Sequence, residues 1–175
     1  MGQGTAPLIL TLAMDEASFA SFAFFNDLRR RHFPPERNFI PAHVTLFHHL
    51  PGEQESAIAG ELETLCASQP PIPVAVTGLR SLGRGVAYAL DAPDLMALRR
   101  RLAAVWRDWL TPQDRQGSRP HVTIQNKVSP ETARELLAAL QGTFTPFIVQ
   151  GEGLHLWRYL GGPWRLMRTH RFAGA

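Results

Sequence analysis

Cysteine is almost missing from this chain. The single residue Cys66 excludes an intrachain disulfide and any zinc site built on clustered cysteines. No run of about 18 apolar residues occurs, and the N-terminus lacks a basic stretch leading into a long apolar one. Neither a membrane span nor a secretory leader is therefore expected, and a soluble, cytoplasmic protein is the default. Lysine is nearly absent too, with Lys127 standing alone against 17 arginines. Arginine's planar fork suits phosphate, but a net charge of +3 is too small to point to nucleic acid by itself. No short-period repeat or low-complexity linker divides the 175 residues, a length that suits one domain of two joined lobes.

What the chain does have is one motif, twice. "PAHVTLFHHLPG" carries His43, Val44, Thr45 and Leu46, and "SRPHVTIQNKV" carries His121, Val122, Thr123 and Ile124. The two-residue period of a strand puts His43 and Thr45 on one face with Val44 and Leu46 on the other, and the second tetrad repeats the arrangement. Chance alone gives a His–apolar–Thr–apolar tetrad roughly 0.09 times in a chain of this composition. By the same alternation His48 falls on the Val44 side, at a core rim or turn. His32, His155 and His170 show no partner in the sequence.

The rest reads as an alternation of strands and helices. "APLILTLAM" predicts an inner strand, and Asp15 can cap a helix running from Glu16 to about Arg31, with Phe19, Phe22, Phe25 and Leu28 on its apolar face. Arg29, Arg30 and Arg31 then form a solvated, dipole-favoured last turn. The first HVT strand runs from His43 to about Phe47, and a helix follows from Glu53 to about Cys66. A hairpin pairs Pro73–Leu79 with Val86–Leu90. Asp91 and Asp94, spaced like a capping box, open what reads as the longest helix, with Leu95, Leu98, Leu102, Val105 and Trp109 on its stripe. "LTPQDRQGSRP" reads as a polar loop delivering the second HVT strand, His121 to about Val128. Ser129 and Pro130 start a helix that buries Ala133, Leu136, Leu137 and Leu140 and ends at Gly142. Strands Phe144–Trp157 and Trp164–His170 close the chain around a turn at Gly161 and Gly162. Loop, HVT strand, turn, helix and strand thus occur twice, which predicts two similar lobes about a shared groove.

Two imidazoles can hold opposite protonation states during turnover, and a threonine hydroxyl one step along the same face can donate to an anionic oxygen. Facing each other across a groove, two such strands suit a phosphodiester: one histidine deprotonates the attacking oxygen and the other protonates the leaving one. No metal or cofactor is required. A metal held by His43 with His48 or His49 lacks a carboxylate or cysteine nearby in sequence. Arg84, Arg119 and Lys127 are the basic candidates for the groove rim. Trp157 and Tyr159, on one strand face, are the candidates for stacking a base. Trp106 and Trp109 suit the core or the lobe interface.

At this point the chain resembles the 2H phosphoesterase superfamily, in particular its 2'-5' RNA ligase-like members. "HVTL" and "HVTI" look like that family's two signature motifs, and the spacing and the lead-in "SRPHVTI" agree. The resemblance implies an α+β, bilobed fold with two antiparallel sheets about a pseudo-twofold central cleft and flanking helices. It implies hydrolysis of a 2',3'-cyclic phosphate, on an RNA 3'-terminus or a small cyclic nucleotide, to a 2'-phosphomonoester, with reversible 2'-5' ligation in some members. His43 maps onto the proton donor to the 3'-oxygen, His121 onto the base that activates water, and Thr45 and Thr123 onto the phosphate binders. A monomer with no required protein partner is expected. The family's arginine shortly after its second motif is replaced by Asn126, with Lys127 beside it, and "FHHLPG" departs from the usual continuation of the first motif. The alternative is a module that binds RNA ends or 2'-5' linkages with little or no turnover.

Overall fold

The computed structural model describes residues 5–14 and 22–175. Asp15, Glu16 and Phe19 of the expected first helix lie outside the described residues. In order, the elements are β1 (Leu8–Met14), α1 (Phe22–His32), a 3₁₀ turn (Pro35–Arg37), β2 (Val44–Leu50), a second 3₁₀ turn (Gly52–Gln54) and α2 (Glu55–Ser68). Then come β3 (Ile72–Ser81), β4 (Val86–Asp91), α3 (Pro93–Val105), α4 (Pro112–Arg115), β5 (His121–Gln125), α5 (Pro130–Thr143), β6 (Phe147–Tyr159) and β7 (Trp164–Arg171). No described helix is long and apolar enough to cross a membrane.

The strands form one antiparallel sheet in the order β2-β1-β6-β3-β4-β5, with β7 also paired to β6. The sequence reading expected two sheets, and the long strand β6 is what joins them. Residues 147–151 of β6 pair with β3, while residues 151–158 pair with β1 and 153–159 with β7. An inner position explains why β1 is apolar on both faces, with even Thr11 fully buried. The sheet curls until β2 and β5, at opposite ends of the pairing order, come back into contact. Helix α2 lies on β6 and β7, α5 on β3 and β4, and α1 against β5. The result is an α+β fold in which a curled antiparallel sheet is flanked by helices.

Several local expectations change. The residue before α3 is Ala92, and no side chain caps it; Pro93, with its missing N–H and fixed φ, starts the helix instead of an Asp91–Asp94 box. At 13 residues α3 is shorter than α2 and α5, with 14 each. It ends at Val105, which is 55% exposed, and Trp106 rather than Trp109 is the buried indole. The polar loop before the second motif contains the short α4, capped by Thr111 Oγ1 accepting from the Asp114 N–H at 3.4 Å. In α5 Ser129 caps as expected, but only Ala133 is fully buried and Leu136, Leu137 and Leu140 are half-covered. Gly142 lies inside this helix, because α5 runs to Thr143.

The two glycines give opposite tests. At Gly85 an added Cβ would stand 2.0 Å from the Gln125 carbonyl oxygen, where the chain passes the end of β5. Gly85→Ala should therefore pry β4 from β5, costing about 2 kcal/mol or more and lowering the thermal midpoint by roughly 4–8 °C. An added Cβ at Gly142 meets nothing within 4 Å. Gly142→Ala should raise stability by about 0.5 kcal/mol through helix propensity, measured on the same melting curves.

Candidate active site

Both motif strands are sheet edges, and both present their histidine at the start of the strand. His43 immediately precedes β2 and His121 opens β5. Each ring is fixed in the same way. His43 Nδ1 lies 2.9 Å from the Pro41 carbonyl oxygen, and His121 Nδ1 lies 2.9 Å from that of Arg119. A carbonyl only accepts, so Nδ1 carries the hydrogen and Nε2 of the neutral ring is left as the acceptor. Below each histidine the strand alternates as its sequence requires. Val44, Leu46, Val122 and Ile124 are fully buried, while Thr45 and Thr123 stay half-exposed on the histidine face.

A buried arginine clamps each strand from the other half of the chain. Arg29, on α1, donates from Nη1 to the Thr123 carbonyl of β5 at 2.7 Å, while its Nε and Nη2 reach Asn38 Oδ1. Arg99, on α3, donates from Nε to the Leu46 carbonyl of β2 at 2.8 Å and from Nη2 to the Asp114 carbonyl at 2.7 Å. Each guanidinium also lies over an aromatic ring, Phe33 for Arg29 and Phe47 for Arg99. Arg29 is only 3% exposed, so the expected solvated helix end holds for its neighbours and not for it.

His48 is the residue that sequence alternation misplaces. Two register shifts in the β1–β2 pairing, where Leu10 faces Phe47 and Leu8 faces Leu50, insert extra residues into β2. They reset the two-residue period and turn His48 outward. It lines a cleft of about 320 Å³ together with His121, Arg80, Arg99 and Arg119. Asp114 of α4 sits fully buried behind it. That carboxylate accepts from the main-chain N–H of His48 and of His49 at 2.9 Å, and lies 3.1 Å from His48 Nδ1. Thus the carboxylate that the sequence lacked near His48 arrives from 66 positions away. Among the described residues, however, no group of three His, Cys, Asp or Glu side chains is placed to hold a metal.

Burial lowers both motif imidazoles from the ordinary histidine value. Burial pushes His43 down to about 4; the Pro41 carbonyl works against this, and the charges of Arg29, His121 and His48 add to it. His121 is lowered by burial as well, opposed by the Arg119 carbonyl and assisted by Arg80 and His48. For Asp114, burial alone would raise the pKa, but hydrogen bonds from the His48 side chain and the His48 and His49 backbone outweigh it and hold the carboxyl below its ordinary value.

The other expected groove residues are dispersed. Arg119 lines the cleft. Arg84, in the turn between β3 and β4, instead donates from Nε to the Val128 carbonyl at 3.0 Å, and Lys127, at φ +63°, lies just after β5, at the end away from His121. Trp157 is 9% exposed with its indole N–H given to Thr11 Oγ1 at 2.9 Å, whereas Tyr159 is 38% exposed. The indole that touches a motif histidine is Trp164, whose ring centroid is 5.0 Å from that of His43. His155 does have a partner, Thr169 Oγ1 at 3.0 Å. Sequence reasoning missed Trp164, Arg80, His48, Asp114 and the two clamps. Only the broken motif continuation "FHHLPG" hinted at any of them.

Comparison with known proteins follows the same lines. The family model described as the 2'-5' RNA ligase superfamily matches residues 16–163. Among solved structures, TT0787 of Thermus thermophilus superimposes with a TM-score of 0.64 at 16% identity, covering 96% of this chain and 98% of that one. A phosphoesterase gives 0.58 at 18% identity, covering 96% and 98%. LigT of E. coli, in its complex with 3'-AMP, gives 0.57 at 18% identity, covering 96% and 98%. No curated protein sequence matches significantly.

Asp114 supplies the stability test. Replacement by alanine strands two backbone N–H groups and frees His48, so Asp114→Ala should cost about 2–4 kcal/mol, measured by the urea midpoint at pH 7. A carboxyl with a depressed folded pKa stabilises above its unfolded value, near 3.9, and loses that contribution as pH falls through the folded value. The gap between wild type and variant should therefore narrow below about pH 4.

Proposed function

The chain belongs to the 2'-5' RNA ligase superfamily, and from that premise we propose that it opens a 2',3'-cyclic phosphate to a 2'-phosphomonoester using protein groups alone. The observation that supports this most is the matched pair of imidazoles, each with Nδ1 tied to a main-chain carbonyl and each followed by a threonine on its own strand face. That tautomer leaves Nε2 as the working atom on both rings. In the proposed step His121 Nε2 takes a proton from water as its oxygen attacks phosphorus. The bond from phosphorus to the 3'-oxygen breaks, and Nε2–H of a protonated His43 gives its proton to that oxygen. Thr45 and Thr123 donate to the non-bridging oxygens, where negative charge grows in the transition state. With a 5'-hydroxyl in place of water, the same displacement would make a 2'-5' linkage, and its reversal would cut one.

The substrate would be an RNA 3'-terminus or a small cyclic nucleotide. Its flanking groups would be received by Arg119, which lines the cleft, by Trp164 beside His43 and by Tyr159, which pairs with Trp164, with Trp157 packed against Trp164. Arg84 and Lys127 would serve only a longer strand reaching the far end of β5. The crystallisation of LigT, a protein of this fold, with 3'-AMP is in keeping with a nucleotide ligand.

Substitution and pH test the mechanism. His43→Ala and His121→Ala should each lower turnover of a 2',3'-cyclic mononucleotide by about 10²- to 10⁴-fold, in the presence of EDTA, and Thr45→Ala or Thr123→Ala by roughly 10- to 100-fold. Full activity in both histidine variants would end the proposal, and binding without turnover by the wild type would favour a sensor of RNA ends. Phosphorus NMR of the product should show the 2'-isomer; a 3'-phosphate would reverse the roles of the two rings.

Because both imidazoles titrate below the ordinary histidine range in the free protein, the bell for kcat/KM should peak on the acid side of pH 6.5. A bound phosphate anion favours the protonated rings, so the bell for kcat should peak at higher pH. Coincident optima at or above pH 7 would contradict this electrostatic account.

A further inference from the structure

The cleft beside His121 holds more positive charge than one phosphate monoanion calls for. Its lining brings together Arg80, Arg99 and Arg119 with the imidazole of His48. Among the described residues, none of the three guanidiniums forms an ion pair with a carboxylate. Arg99 spends its hydrogen bonds on the carbonyls of Leu46 and Asp114, so its charge is neutralised by no direct partner. Among the described residues no carboxylate lines the cleft, and Asp114, fully buried, lies behind His48. With His48 Nδ1 turned toward that carboxylate, which only accepts, Nε2 is left for the cleft.

Arg80 is placed by register. It pairs with Ala87 of β4, which pairs in turn with Thr123 of β5, so Arg80 and Thr123 share a sheet face. His121, two residues before Thr123, is on that face as well. Arg80, Arg119 and His48 thus line the same cleft as His121, and Arg80 and His48 are both felt electrostatically at its ring.

We propose that this cleft is a second-anion site, in which Arg80, Arg119 and His48 receive a phosphate group of the substrate other than the one hydrolysed. The inference rests on the cyclic-phosphate reading and narrows it. The preferred substrate is a cyclic phosphate that carries a further phosphoryl group, either a phosphomonoester on a small nucleotide or the phosphodiester leading into an RNA chain. His48 and Arg80 are then specificity-determining residues, and Asp114 is a positioning residue that holds the His48 ring.

Three substrates read this directly: cytidine 2',3'-cyclic phosphate, the same nucleotide bearing a 5'-phosphate, and a dinucleotide ending in the same cyclic phosphate. One or two charge-assisted hydrogen bonds should give the wild type at least a roughly 10-fold higher kcat/KM for a doubly phosphorylated substrate. Preference for the 5'-phosphate alone assigns the site to a small nucleotide, and equal preference for the dinucleotide assigns it to an RNA end. In Arg80→Ala and His48→Asn the ratio between substrates should fall to within about 2-fold. A wild type that shows no preference overturns the proposal, and so do variants that slow all three substrates equally, as a purely structural role would. Turnover of none of the three would instead sink the cyclic-phosphate reading. The second site is then judged by calorimetry, comparing cytidine 2',5'-bisphosphate with cytidine 2'-phosphate. Tighter binding of the bisphosphate, abolished by Arg80→Ala, upholds it, and equal binding rejects it.

Discussion

An edge strand leaves half of its carbonyls without a partner in the sheet, and here the two strands that carry the imidazoles are both edges. A buried guanidinium answers that need in each case: Arg99 on the Leu46 carbonyl and Arg29 on that of Thr123. Each clamp reaches across the molecule, with α1 serving β5 and α3 serving β2. The catalytic candidates are thus mounted where the backbone is least constrained by pairing, and then fixed by groups from the opposite half. Loss of either clamp would leave a desolvated carbonyl and a displaced threonine at once.

One of these clamps also bears on a motif imidazole. Arg29 contributes to keeping His43 neutral, and burial lowers its own guanidinium to about 10, a value at which it still holds its proton at neutral pH. In the proposed reaction such a site disfavours the protonated rings until the substrate's anion enters. Under that proposal a structural cation and the proton transfers are coupled without direct contact between Arg29 and the reacting groups. Asp114 is the counterweight: its negative charge is placed behind His48, where it steadies that ring without occupying the space an anion would need.

Much of this was legible in the residues. The alternation in "HVTL" and "HVTI" predicts which side chains face the core, and Val44, Leu46, Val122 and Ile124 are there. Ser129 before Pro130 predicts the start of α5 to the residue. His48 was not legible, because the bulges that turn it outward depend on how β2 registers against β1. Arg29 could not be told from Arg30 and Arg31 in a run of three, since only the approach of β5 selects it for burial. Asp114 sat in a stretch that reads as polar loop, and its partners lie 65 and 66 positions away. Nor does local pattern reveal that β6 pairs with three different strands and so merges the two expected sheets into one.

That shared strand has a consequence for how the protein is made. On the ribosome β1 and β2 emerge early, and β3, β4 and β5 can assemble as a unit of near neighbours. The strand that must lie between these two groups arrives only at residues 147–159, and its hydrogen bond from Trp157 to Thr11 closes a loop of 146 residues. Until then neither group has its central neighbour, and β1 in particular exposes an apolar edge to the crowded cell. Both walls of the cleft are therefore completed in a single late event. A nascent chain stalled before β6 carries all four motif residues and yet has no joined site in which to use them.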